Sequence, residues 1–597
     1  MAATVVDSDR LVRVVPDVPA IHRRFDYSVP DALASQVGVG SRVRVELHGR
    51  RVGAWVVEDD VEPTANVTVK PLAGSSGEGP PAPVVELAAW AAWRWAGPMS
   101  SFLGTASPAR VVRRRPSSRD TAPAPRPASP GGGSVALVDS ALAEVGRPAV
   151  VRLAPALDGA LVVLEVLHRL DPEGIVVLVP SHHRATELAR RLRGAGCPVA
   201  LLPDEWEAAA FGARVVVGTR VGAWSPVPRL RAAVVLDAHD EAYREERAPT
   251  WSAVDVLVER GRREGAPVIL VSPCPPVAMT EGRTVVVTPR GVERRGWPVL
   301  EVVDRTGDDP RTGLFSERLA HLLHSVLDRP SGRCVCILNR TGRTRLLACK
   351  NCGALATCTR CGGAMAQPEP AGALRCQRCE EVRPAVCAVC DSTRFKVLRI
   401  GVTRATEELS ALSGVAATEI TSTSEPTAAR GARLVVGTEA ALHRVGGADA
   451  VAFLDIDQHL LAPRFSAGEE SLALLARAAR LVGTREGGGR ILAQTRIPDH
   501  EALQAVLHAD PGLLAAPERA LRQVLGLPPF EAIATLGGPG APGYAQLLRS
   551  ISGISVSSME GDRWLVKAPD HQAMSDALAA VPRPAGRLRV EVDPTDA

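Results

Sequence analysis

Apolar residues along this chain cluster in short continuous runs separated by amphipathic stretches. One series comprises IVVLVP at Ile175, RVVVGT at Arg214, AVVL at Ala233 and VILV at Val268, with helix-like segments such as HRATELARRLRGAG from His183 between several of them. Continuous apolar strands spaced by helices predict a parallel sheet covered on both faces. The alternation returns with CVCILN at Cys334, LVVGT at Leu434, VAFLD at Val451 and ILAQT at Ile491. A second α/β unit therefore follows the first, and each contains a strand ending in V-G-T. Ahead of both, PSSRDTAPAPRPASPGGGS, from Pro116 to Ser134, has the composition of a flexible linker and sets off an N-terminal unit.

A length of 597 residues exceeds what one core organises, so several domains are expected. With 46% hydrophobic and 23% charged residues the chain reads as globular, and 48 prolines and 53 glycines imply many loops. No window approaches the roughly 18 uninterrupted apolar residues of a membrane span, and MAATVVDSDR lacks the pattern of a signal peptide. A cytoplasmic protein with no membrane partner is expected. A net charge of +4 excludes a uniformly basic nucleic-acid binder but leaves room for local patches such as Arg110 with Arg113, Arg114 and Arg115. Only four residues are lysines: Lys70, Lys350, Lys396 and Lys567.

The 12 cysteines divide into two uses. Cys197, Cys274, Cys334 and Cys336 are scattered and read as core residues. The other eight form the C-x-x-C pairs Cys349/Cys352, Cys358/Cys361, Cys376/Cys379 and Cys387/Cys390. That gap lets both thiolates of one tight turn reach a single metal at about 2.3 Å, and two pairs complete a tetrahedron. Four pairs allow three pairings. The 14 residues between Cys361 and Cys376 suit a zinc-ribbon loop, whereas the 5 between Cys352 and Cys358 leave little room for two knuckles to face each other. Spacing thus favours a nested arrangement of two Zn(2+) ions per chain. Cys358, Cys361, Cys376 and Cys379 form the inner site; Cys349, Cys352, Cys387 and Cys390 form the outer. Four thiolates leave no open position for catalytic water, so both sites are expected to be structural.

Two α/β units in tandem suit the lobes of a nucleic-acid motor that clamp ATP between them, but the chemistry is missing. A phosphate loop needs G-x-x-x-x-G-K-[ST], and no lysine lies between Lys70 and Lys350. The apolar stretch VRLAPALDGALVVLEVL, from Val151, stands where that loop belongs. After the strand at Ala233, the positions expected to hold carboxylates for magnesium read Leu236, Asp237, Ala238 and His239. Both main stabilisers of phosphoryl transfer are therefore absent.

The order of motifs resembles the primosomal protein N-prime (PriA) family of superfamily-2 DNA helicases along nearly the whole chain. FDYSVP and GVGSRVRV are similar to its N-terminal signature. VVVGTRVGAWSPVPRLRAAVVLDAHDEAY follows its first lobe, and NRTGRTRLLACKNCG leads into the cysteine pairs and GVTRATEEL as in its second. LVVGTEAALH, FLDIDQHLLAPRFSAGEE, QTRIPDH, PERALRQVLGLPPFEAIA and RVEVDP continue the series. The family's paired-arginine motif is reduced to RLVGTRE, where Val482 replaces one arginine and Arg485 remains.

The resemblance implies a multidomain α/β fold: two RecA-like lobes of the superfamily-2 helicase type, the second with a two-zinc insertion, small N-terminal DNA-binding domains and a C-terminal α+β domain. The expected division is 1–73 for a 3′-end DNA-binding domain, 74–115 for a winged-helix-like domain, 116–134 for the linker and 135–290 for the first lobe. The second lobe would take 291–345 and 398–500 around the zinc insertion 346–397, with 501–597 as the C-terminal domain. Phe25, Asp26 and Tyr27 match the motif that lines the family's pocket for the 3′ end at a fork. Lys70 would add a phosphate contact, and Arg113, Arg114 and Arg115 would grip duplex phosphates.

Trp90, Trp93 and Trp95 read as a packed helix face. The implied partners are branched DNA with a 3′ end, primosome proteins, the replicative helicase or its loader and single-stranded DNA-binding protein, in the nucleoid. The expected role is replication restart without helicase activity, ATP hydrolysis being lost with the motifs. The alternative is an active ATP-dependent 3′-5′ helicase with a non-standard nucleotide site.

Overall fold

The structure, a computed structural model, describes residues 10–64, 69–113, 127–131, 133–170, 173–211, 213, 215–308, 315–338, 346–368, 372–397, 402–421, 423–425, 427–559, 561–584 and 586–595. Its first unit is a six-stranded sheet ordered Lys70–Pro71, Phe25–Ser28, Leu11–Pro16, Arg50–Asp59, Arg42–Leu47, Gly74–Gly77. Alternation in the sequence sets its faces: in RVRVEL, Val43 and Val45 are fully buried while Arg44 and Glu46 are exposed. The boundary expected at 73/74 falls inside this sheet, because Gly74–Gly77 pairs with Arg42–Leu47. The segment expected to be winged-helix-like contributes, after that strand, the helices Ala82–Arg94 and Met99–Ala106.

These helices join the N-terminal unit to the first α/β unit through a file of aromatic rings. Trp95 packs on Phe102, Phe102 on Trp224 and Trp224 on Trp251, with centroids 6.3, 5.7 and 5.5 Å apart. Trp90 meets Trp95 edge-on at 5.2 Å. Two of the three tryptophans in AAWAAWRWAG therefore pack within the core, whereas Trp93 donates its indole N–H to Asp576 at 3.0 Å.

The first α/β sheet has seven strands in the spatial order Thr284–Val287, Pro148–Arg152, Val268–Ser272, Ala232–Leu236, Ile175–Leu178, Val215–Gly218, Val199–Leu201, and its paired strands are parallel. Helices on both faces bury the continuous apolar runs, as their pattern predicts. The second has six parallel strands in the order Val299–Asp304, Arg490–Thr495, Ala450–Phe453, Cys334–Ile337, Leu434–Gly437, Ala417–Ile420. Cys197, Cys274, Cys334 and Cys336 are buried and free of disulfides.

The cysteine-rich segment interrupts the second unit between Cys334–Ile337 and the helix Val402–Ser413. Its ends are brought together by pairing of Leu347–Cys349 with Phe395–Val397. Beyond residue 500 the chain does not form a separate domain at once. Ala502, Leu503, Val506 and Leu514, on the helices Glu501–Leu507 and Gly512–Leu525, complete the core of the second unit. The C-terminal α+β unit begins at Ala532, with antiparallel strands ordered Ser555–Met559, Arg563–Ala568, Ala532–Gly537, Arg589–Val592. Its helices Ala541–Leu548 and His571–Ala580 contribute to one continuous core with the helix Ala82–Arg94 and the first α/β unit. Among the described residues, no helix is long and apolar enough to cross a membrane.

Candidate metal centres and nucleic-acid interface

Each C-x-x-C pair forms the same local turn. The first cysteine's Sγ accepts from the backbone N–H two residues on: Asn351 to Cys349 and Arg360 to Cys358 at 3.4 Å, Arg378 to Cys376 at 3.3 Å, Val389 to Cys387 at 3.5 Å. The residue after each second cysteine has positive φ: Gly353 at 77°, Gly362 at 70°, Glu380 at 60° and Asp391 at 55°. This left-handed step turns the chain back so that both thiols face one side, and glycine supplies it without steric cost at two of the four positions.

Two groups of four thiols result, and they are the nested pair. Cys349, Cys352, Cys387 and Cys390 form one; Cys358, Cys361, Cys376 and Cys379 the other, with all sulfurs of a group within 4.8 Å of one another. The closest pairs are Cys349–Cys390, Cys352–Cys387 and Cys358–Cys379 at 3.6 Å, and Cys361–Cys376 at 3.5 Å. A tetrahedron of sulfurs about 2.3 Å from a central ion has edges of about 3.8 Å, so either group can hold a metal ion. Arg378 of the inner group's loop donates to Cys361 O at 3.1 Å. Leu521, on the helix Gly512–Leu525, packs against the core of the module, which includes Met365 and Leu374.

The FDY segment lies on the strand Phe25–Ser28, whose period of two separates the residues expected to share a pocket. Tyr27 points into the core at 4% exposure and donates its hydroxyl to Glu46 O at 2.8 Å. Phe25 is half-buried beneath the Arg23 guanidinium, 5.2 Å from its ring. Asp26 is on the opposite face and 8% exposed. It accepts from Arg13 Nε at 2.8 Å, from Thr64 N at 3.0 Å and from Thr64 Oγ1 at 2.5 Å. Burial raises the pKa of Asp26, but Arg13 and Thr64 outweigh it and hold the carboxyl below its ordinary value. Lys70 is exposed and pairs with Glu46 at 3.2 Å. Arg113 is exposed, while Arg114 and Arg115 lie outside the described residues.

Between the two α/β units, the loop standing in place of a phosphate loop uses its amides internally. Leu157 N donates to Ala154 O at 3.0 Å, Ala160 N to Asp158 Oδ1 at 2.9 Å and Leu161 N to Asp158 O at 3.1 Å. Leu236 packs against Gly159, where an added Cβ would lie 3.3 Å from its side chain. Asp237 is engaged by Arg480, on the helix Ala467–Val482 of the second unit. Arg485, the residue singled out in the sequence, is exposed. The arginines facing the first unit are instead Arg477 and Arg480, and their spacing of three on one helix was the available signal.

Residues 13–108 match the 3′DNA-binding domain (3′BD) of PriA, a match that runs through the 73/74 boundary. The chain is 29% identical to the probable replication restart protein PriA of Mycobacterium bovis, covering 97% of this chain and 92% of that protein. It is 27% identical to that of Mycobacterium leprae, covering 87% and 86%. With the replication restart protein PriA of Bacillus subtilis it shares 25% identity over 60% of this chain and 49% of that one. The domain match and the relatives that run nearly its full length agree: the chain is similar to the PriA replication restart proteins along almost all of its sequence.

Proposed function

We propose that the chain binds abandoned or stalled forks and promotes primosome assembly there, as a scaffold without helicase activity. The 3′DNA-binding domain over residues 13–108, joined by a continuous core to a first α/β unit whose former phosphate loop is apolar, carries this reading. We read the two sheets as RecA-like lobes and the cysteine groups as two zinc sites. Thiolate-only sets of four favour zinc and leave it a structural role. The partners would be fork DNA with a 3′ end, primosome proteins, the replicative helicase or its loader and single-stranded DNA-binding protein, in the nucleoid.

At the N-terminal domain, Phe25 supplies a ring at the surface, and Asp26 holds an ionised carboxylate ready to accept a hydrogen bond. A terminal 3′-OH would take the place of the Thr64 hydroxyl on that carboxylate, while a 3′-phosphate would be repelled by it. A hydrogen bond to a charged group contributes about 1.5–3 kcal/mol, so a fork with a leading-strand 3′-OH should bind about tenfold or more tightly than the same fork ending in 3′-phosphate. Asp26→Ala should erase that difference, and Phe25→Ala should weaken both forks through the loss of about 1–3 kcal/mol of base stacking. Fluorescence anisotropy at one salt concentration measures this; equal, weak affinity for both forks would remove the direct support for 3′-end recognition. No DNA-stimulated ATP hydrolysis above a blank is expected, and turnover by the purified chain would favour the helicase reading instead.

A further inference from the structure

The space between the two α/β units is filled by the protein's own charges. From the helix Ala467–Val482, Arg480 reaches across and donates Nη1 to Asp237 Oδ2 at 2.7 Å, Nη2 to Asp237 Oδ1 at 2.5 Å and Nε to Pro155 O at 3.0 Å. One guanidinium thus ties the end of the strand Ala232–Leu236 to the loop that replaces a phosphate cradle. One turn earlier, Arg477 donates to Asp240 at 2.6 Å and lies 2.6 Å from His443 Nε2. Arg184, on the first unit, closes the other side of Asp237.

The carboxylate of Asp237 is only 5% exposed and sits on a residue with φ of 54°. Burial raises its pKa, yet the Arg480 and Arg184 charges reverse this and hold it well below the ordinary carboxylate range. Bidentate arginine–carboxylate pairs at such sites are strong and directional, and a half-removed pair leaves an uncompensated charge. A second carboxylate blocks the cradle itself. Asp158 occupies the start of the helix Ala160–Arg169, bonded to Ala160 N at 2.9 Å and paired with Arg191, so a phosphate would meet a negative charge where it needs free amides.

We propose that Arg477 and Arg480 form a fixed clasp that has taken over the former nucleotide site, holding the two lobes in one relation without ATP and leaving nucleotide no place to enter. In a motor, bound nucleotide sets the angle between lobes. Here an internal ion pair sets it, and the DNA-binding and cysteine-rich parts keep a constant geometry. This rests on reading the two sheets as former motor lobes, but it goes further than absence of hydrolysis, since it excludes nucleotide binding as well.

The test uses the full chain. Calorimetric titration with ATP–Mg2+ and ADP–Mg2+ should give no binding up to millimolar concentrations. Hydrogen exchange should be slow at residues 232–240 and 467–482, and unchanged by either nucleotide. Arg480→Gln should speed exchange of both segments by about tenfold or more, by local opening. Asp237→Asn should do the same, and the double variant should add little to either, as expected for two halves of one contact. Arg477→Gln, which leaves the Asp237 pair intact, should have a smaller effect in the same direction and serves if Arg480→Gln does not fold.

Unchanged exchange in Arg480→Gln and Arg477→Gln would overturn the clasp. So would nucleotide binding by the wild-type chain, and if that binding came without turnover it would leave the proposed lack of hydrolysis standing.

Discussion

On the proposed assignment of one zinc ion to each cysteine group, changing Cys358 to serine is expected to reduce bound zinc from two ions per chain to one and to disorder the inner half of the cysteine module. The outer site should survive, because its four ligands sit at the two ends of the insertion, and the pairing of Leu347–Cys349 with Phe395–Val397 holds those ends together. Changing Cys349 should do more damage: this residue is a proposed ligand and lies on the strand whose pairing closes the two ends of the module. Structural zinc contributes about 10–16 kcal/mol of binding free energy that is coupled to folding, whereas the small apolar core around Met365 and Leu374 has few residues to offset its loss. Metal content by atomic emission, with proteolysis of residues 346–397, measures both effects. Retention of two zinc equivalents by Cys358→Ser would refute the assignment of this ligand.

The second large effect is expected at Asp593, which fastens the C-terminal unit to the N-terminal helices. Its carboxylate accepts from Arg94 Nη2 at 2.7 Å and lies 2.8 Å from His571 Nε2, with 19% of the side chain exposed against 8% for Arg94. Its backbone oxygen accepts from Arg244 of the first α/β unit. Asp593→Ala leaves the Arg94 guanidinium buried without its counter-charge, a loss of about 3–5 kcal/mol. Asp593→Asn, which keeps the shape and one acceptor oxygen, should cost less. Thermal unfolding and small-angle scattering should show both a lower midpoint and a detached C-terminal unit in the alanine variant.

The pH dependence of this contact has a definite sign. Burial raises the pKa of Asp593, and Arg94 and His571 more than reverse it, so the folded carboxyl lies well below the unfolded value of about 3.9. A depressed carboxyl contributes its stability in full above the unfolded pKa and loses it as pH falls toward the folded one. The difference in midpoint between wild type and Asp593→Ala should therefore be present at neutral pH and shrink on acidification below about pH 4. A difference that grows with acid would contradict the ion pair.

The elements that the hydrophobic pattern announced were those whose stability is local or whose burial is complete. Runs such as IVVL and VILV are buried along their whole length and can hardly be anything but central strands, so both parallel sheets were legible. The N-terminal strands were legible as strands. Alternation alone places Phe25 and Tyr27 on one face and Asp26 on the other, with Tyr27 committed to the core. The tryptophan spacing indicated a packed helix without showing that Trp93 would face the C-terminal unit, 483 residues away in sequence.

What the sequence determined by itself was the chemistry set by short spacings and by residues that are simply missing. A two-residue gap between cysteines obliges a tight turn with both thiols on one side, and the loop lengths between pairs favour the nested grouping over the others. A lysine absent from residues 71–349 cannot be supplied by any folding of that segment. Tertiary structure alone decided where the domains end and which arginines matter. Asp237 and Arg480 are separated by 243 positions, as Arg94 and Asp593 are by 499, and no local pattern encodes either pair. Such ion pairs form because folding removes both partners from water at the same place, and that place is set by the packing of whole sheets and helices.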